Sequence, residues 1–208
     1  MKLTVFDKEN INVPNVLSLI RLLLVPVYII LFIDGKKYAA LGVFAAASLT
    51  DLLDGYIARK YQLVTDVGKL LDPLADKLMV LTAMFSMAFG SSTIEPVIPL
   101  AAVLIVLVKE VLLMIGGLVF LKFDIVVHSL MIGKVAHTVF ILGLIASYFH
   151  DWFTQVCAGW FMTPDLMLIW LGVILTLIAM VTYLVVNIQQ AAAKSKEKES
   201  DSVLTEKQ

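Results

Sequence analysis

Residues 50–77 read TDLLDGYIARKYQLVTDVGKLLDPLADK and gather five aspartates, one arginine and three lysines in a chain that is 60% hydrophobic. Asp51 and Asp54 are three residues apart, so on a helix they point within about 60° of each other and can share a ligand. Gly55 and Ala58 lie on the same arc, leaving a nearly bare surface that another backbone or a flat ligand can approach closely. Arg59 borders that surface. Further on, Gly68, Asp72 and Asp76 recur every four residues, one helical stripe with a bare start and two carboxylates. A short polar link joins the two segments, so they run antiparallel and bring four carboxylates to one depth.

An ionised carboxylate at the centre of a helix in lipid costs about 2.5–3.5 kcal/mol, less near a helix end, and four together add mutual repulsion. Arg59, Lys69 and Lys77 offer partial neutralisation, and a web of ion pairs at the helix ends is the bland alternative. A salt-bridge web would interleave signs at i and i+4, whereas Asp72 and Asp76 share one stripe. Clustered like charge calls for a divalent cation. All-oxygen ligands with no histidine or cysteine select hard ions such as Mg²⁺ or Mn²⁺. Four aspartates can hold two such ions about 3.5–4 Å apart, the arrangement that clamps attacking and leaving oxygens in phosphoryl displacement. Pro73 deprives the Lys69 carbonyl of its helical partner and is expected to kink the helix toward water.

The elements that must position these groups are membrane helices. A hydrophobic share of 60% exceeds the roughly 45–50% of soluble domains. Apolar runs against polar and Pro/Gly punctuation predict an all-α integral membrane bundle of about six transmembrane helices, near 14–33, 38–59, 66–89, 94–121, 129–149 and 165–190. The expected division is an interfacial segment over 1–13, a membrane domain over 14–190 and a disordered, charged tail over 191–208. The N-terminal stretch lacks the pattern of a cleavable signal, so the first span is expected to stay as an anchor. Asp66 suits an N-cap for the third helix.

Lys2, Lys8, Arg59, Lys60, Lys122, Lys134, Lys194, Lys196 and Lys198 fall at one set of helix ends, against Lys36 and Lys37 at the other. The positive-inside rule then places both termini and the aspartates on the cytosolic side. Aromatics in HDWFTQVCAGWF suit the opposite interfacial belt. The net charge of −1 says nothing about nucleic acid, but no basic patch mixed with aromatics is present, and a nucleic-acid role is set aside. The single cysteine, Cys157, excludes an intrachain disulfide and reads as a packing residue. His128 and His150 read as interface residues, and Trp152, Trp160 and Trp170 as interface or packing residues.

The spacing Asp51-x-x-Asp54-Gly55-x-x-Ala58-Arg59, eight residues, then Gly68-x-x-x-Asp72-x-x-x-Asp76 resembles the signature of the CDP-alcohol phosphatidyltransferase family at every defined position. NVPNVLSLIR, residues 12–21, resembles that family's entry to the first helix. The resemblance implies a two-metal centre, Mg²⁺ or Mn²⁺, on Asp51, Asp54, Asp72 and Asp76, with Asp51 and Asp72 touching both ions and Asp76 also the general base. It implies CDP-lipid contacts at Gly55, Arg59 and Thr65, with Ala58 and Gly68 in the same groove. The implied reaction passes the phosphatidyl group of CDP-diacylglycerol to an alcohol and releases CMP. The implied setting is a bacterial cell membrane, with a homodimer as a possible assembly.

Family members that use glycerol 3-phosphate carry Arg-Glu on the fourth helix, an arginine about two turns later and a Gly-Lys-x-Lys stretch entering the fifth. Here VKEVLLMIGGLVF keeps the charge pattern at Lys109 and Glu110 but has Gly116-Gly117 at the later position, and IGKVAHTVF keeps Gly133-Lys134 but replaces the second lysine by Ala136, before His137. Arg21, Lys109, Lys134 and His137 are therefore the candidate acceptor-binding residues for glycerol 3-phosphate. Lys109 and Glu110 could instead simply pair with each other. The stretch ALGVFAAASLTDLLDGYIAR also resembles the cardiolipin synthases of the family, whose acceptor is phosphatidylglycerol. A divalent-cation transporter is the reading of another class, but its site is expected at mid-membrane between repeated halves, and no second half mirrors the aspartates. An intramembrane aspartyl protease would need two carboxylates, not four with an arginine.

Overall fold

The computed structural model describes residues 13–61, 66–122 and 131–205. For 13–14, 51–61, 66–73, 117–122 and 187–205 apart from Gln189, it describes the backbone path alone. The interfacial segment expected over 1–13 and the candidate contact Thr65 lie outside the described residues, save Val13. Those residues form seven helices and no strand: α1 Val13–Ile33, α2 Lys37–Tyr61, α3 Asp66–Phe89, α4 Leu100–Lys122, α5 Met131–Ser147, α6 His150–Val156 and α7 Pro164–Thr205.

The helix ends follow from local chemistry. α1 opens with proline in its first turn, where the missing N–H is not needed. It closes in a Schellman motif: Gly35 takes φ 76°, its N–H bonds the Phe32 carbonyl at 3.0 Å, and the Lys36 N–H bonds the Leu31 carbonyl at 2.9 Å. α3 closes at Gly90, φ 68°, and the Val97 amide returns to the Met87 carbonyl at 2.8 Å. Pro96 and Pro99 disfavour helix before them, so α4 begins at Leu100, later than the apolar run near residue 94 suggests. The expected fifth helix ends at Ser147, and the separate α6 follows at a bend of 80°. α7 continues past residue 190 to Thr205, so the charged segment expected to be disordered is helical along most of its length. Extending an existing helix needs no new nucleus, and alanine, lysine and glutamate favour it.

α1 and α7 contain stretches, Asn15–Ile33 and Pro164–Val186, long and apolar enough to cross a membrane, and α5 with α6 forms a bent third candidate. α2, α3 and α4, with 25, 24 and 23 residues, are each about 35 Å long and exceed the roughly 30 Å hydrocarbon layer. The chain is an integral membrane protein.

Its contacts divide it into two compact units. The first comprises Met1–Leu100 and Leu144–Thr163, and the second Ala101–Gly143 and Pro164–Gln208. In the first, α1 packs against both α2 and α3. α2 buries Ala40, Phe44 and Ala47, spaced i, i+4, i+7, and α3 buries Ala75, Met79, Ala83 and Met87 at four-residue steps. Of the alanines in FAAAS, Ala47 packs inside while Ala45 and Ala46 are exposed. The Tyr28 and Tyr148 hydroxyls, both buried, meet at 2.5 Å and pin α1 to the end of α5. In the second unit α5 and α7 touch through glycine: a Cβ on Gly172 would stand 2.8 Å from Phe140 Cα, and one on Gly143 would stand 2.9 Å from the Ile169 amide nitrogen.

Candidate functional site

The antiparallel pair α2 and α3 carries the aspartates at matching levels. Asp51 lies ten residues before the end of α2 and Asp76 ten residues after the start of α3, while Asp54 and Asp72 lie seven and six residues from those same ends. At about 1.5 Å per residue this gives two tiers, separated along the helices by about one turn. Gly55, Ala58 and Arg59 follow on α2, and Gly68 precedes Asp72 on α3. α3 runs on as helix through Pro73, and Asp66, expected as its N-cap, is its first residue. The side chains of 51–61 and 66–73 lie outside the described residues. Asp76 and Lys77 are half-buried, each with an interaction partner.

α1 supplies a polar stripe to the same unit. Asn15, Ser18 and Arg21 recur every three residues and are 7%, 0% and 1% exposed. Counted from the α1–α2 turn, Arg21 and Asn15 fall level with about residues 49 and 55 of α2, the part that holds Asp51 and Asp54. A buried arginine among apolar helices needs compensation, and each of the three residues has an interaction partner. Among the acceptor candidates Arg21 therefore belongs to the unit of the aspartates, and it is buried where the sequence alone left its exposure open.

The other candidates lie in the second unit. Lys109 pairs with Glu110, their side chains 14% and 24% exposed. Lys109 also lines a cavity of about 200 Å³ together with Leu113, Gly133, Ala136, Thr176 and Tyr183. Lys134 and His137 are exposed and do not line it. Thr176 and Tyr183 were missed from sequence because a lone hydroxyl in an apolar helix carries no spacing signal; α7 brings them to Lys109. A Cβ on Gly116 would meet open space.

Among the described residues no group of three or more histidine, cysteine, aspartate or glutamate side chains is placed to hold a metal ion. The motif's donor set is wholly carboxylate oxygen on two adjacent helices, which fits hard divalent cations and not zinc or copper.

The family model of the CDP-alcohol phosphatidyltransferases matches residues 11–185, most of the chain, and the protein belongs to that family. Relatives with two different names are among its matches. It is 53% identical over 72 residues to a CDP-diacylglycerol–glycerol-3-phosphate 3-phosphatidyltransferase of Rickettsia typhi, covering 33% of this chain and 40% of that one. It is 39% identical over 111 residues to a protein of the same name from Aquifex aeolicus, covering 53% and 61%. A human cardiolipin synthase (CMP-forming) is 41% identical over 103 residues, covering 49% of this chain and 33% of that one. The matched stretches thus span between a third and three fifths of these relatives.

Proposed function

We propose that this chain transfers the phosphatidyl group of CDP-diacylglycerol to glycerol 3-phosphate, giving phosphatidylglycerophosphate and CMP. The observation that carries the reading is the intact eight-position aspartate signature inside a family match that runs over residues 11–185. Purified protein given CDP-diacylglycerol and each acceptor in turn tests it. CMP release dependent on glycerol 3-phosphate is the expected result, and release with another alcohol alone would overturn the acceptor. No CMP with any acceptor would favour the cation-transporter reading.

In this mechanism Asp51, Asp54, Asp72 and Asp76 hold two divalent cations, Mg²⁺ or Mn²⁺. When bound, these offset the charge of the pyrophosphate and of the departing CMP. Gly55, Ala58 and Gly68 leave room for the cytidine diphosphate, which Arg59 and Thr65 contact. Asp76 takes the proton of the acceptor hydroxyl. The acceptor oxygen bonds to the lipid-side phosphorus as that phosphorus loses its bond to the CMP oxygen. No serine, cysteine or histidine stands within residues 51–76 to form a covalent intermediate.

Arg21, Lys109, Lys134 and His137 are assigned to the acceptor phosphate. Phosphatidylglycerol as acceptor is the second reading, favoured by one observation: Glu110 already neutralises Lys109, and Gly116 and Ala136 occupy places where basic residues would grip a phosphate. The charge distribution supports a cytosolic active site with both termini on that side, and the bacterial relatives support a bacterial cell membrane. A homodimer rests on the family resemblance alone.

A further inference from the structure

The end of the first unit farthest from the aspartates carries a surface that phosphatidyl transfer does not use. The apolar run of α1 stops at Ile33. Four residues later the Lys37 ammonium, its side chain 12% exposed, donates to the Asp151 carboxylate of α6 at 2.6 Å. The rings of Tyr38 and Phe149 stand 5.7 Å apart beside that pair. These contacts hold α6 at the level where the apolar part of α1 ends. There the chain turns by 80° on leaving α5, so α6 runs across the direction of the preceding helix.

The surface of this segment is aromatic. Trp152, Trp160 and Phe161 are 57%, 63% and 97% exposed, and Tyr38 and Phe89 are exposed at the same end. Two requirements set the depth. α6 has seven residues and no side-chain cap bond at its start, so the unpaired N–H groups of its first turn and C=O groups of its last turn need water and it cannot sit in hydrocarbon. Exposed indole and phenyl rings gain by leaving water, and an indole N–H keeps a polar partner only near the headgroups. The headgroup boundary meets both requirements.

We propose that residues 149–161 form a membrane-interface seat, with α6 lying along the phospholipid headgroup layer and Trp152, Trp160 and Phe161 set at its boundary with the acyl chains. The lipid is preferred to a protein partner because the seat continues the level at which α1 leaves its apolar run. The seat is independent of the phosphatidyl-transfer reading.

The test uses the full chain in phosphatidylcholine–phosphatidylglycerol vesicles. With Trp170→Phe, the remaining indoles are Trp152 and Trp160. Lipids brominated near the headgroup, midway along the acyl chain or near its terminal methyl then report depth. The expected loss of fluorescence is largest for the shallow bromine and falls at each deeper position. Strongest quenching by the deepest bromine, or no quenching at any position, as when a second copy or a partner protein covers the rings, would overturn the proposal. A nitroxide on the native Cys157 checks depth without substitution. Collisions with both oxygen and a water-soluble nickel chelate are expected, and access to one quencher alone would count against the seat.

Discussion

At the scale of residues, Asp76 and Lys109 carry the sharpest consequences. Asp76 is the aspartate of the motif whose side chain is described, half-buried on α3 and level with Asp51 across the helix pair. If it is the general base, Asp76→Asn should lower CMP release by about 10²–10⁴-fold, with helical content by circular dichroism unchanged. Lys109 faces a cavity that also holds Thr176 and Tyr183, but Glu110 holds its charge. If it grips the acceptor phosphate, Lys109→Ala should remove a charge-assisted contact of about 1.5–3 kcal/mol and raise KM for glycerol 3-phosphate by roughly 10-fold or more, with little change in kcat. Steady-state kinetics against both acceptors checks this, and an unchanged KM would leave Lys109 as the ion-pair partner of Glu110 alone.

At the scale of elements, α5 and α7 approach so closely that glycine is required. A side chain on Gly172 would meet the Phe140 backbone at 2.8 Å, and backbone cannot swing aside as a side-chain tip can. Gly172→Val is therefore expected to destabilise the protein by about 1–3 kcal/mol, read as a lower thermal unfolding midpoint in detergent. Gly116→Val, where a Cβ would meet open space, is the control and should leave that midpoint nearly unchanged. The helix ends tell a similar story. Lys36 and Lys37 depart from the one-sided distribution of basic residues, and each is paired, with Asp34 at 3.4 Å and Asp151 at 2.6 Å. The two cations at the minority end are thus held beside carboxylates, which reduces their weight as topology signals.

At the scale of the whole molecule, the carboxylate motif predicts dependence on a hard divalent cation. Chelation by EDTA should abolish CMP release, and Mg²⁺ or Mn²⁺ should restore it where Zn²⁺ does not. Activity that survives exhaustive chelation would remove the metal-centre reading. Much of this was legible in the sequence because its signals are local. The four-residue recurrence of Gly68, Asp72 and Asp76 and the apolar runs of α1 and α7 depend on helical periodicity and span length, which a stretch of 20 residues displays unaided. Helix ends were less legible: Pro96 and Pro99 delay α4, and the 80° turn before α6 is invisible in an apolar run that reads as one helix. Tertiary structure alone decided which polar groups meet. Tyr28 finds Tyr148 across 120 residues, Lys37 finds Asp151 across 114, and α7 carries Thr176 and Tyr183 to Lys109. Such pairings arise when distant helices pack together, and the spacing of neighbours along one chain segment holds no record of them.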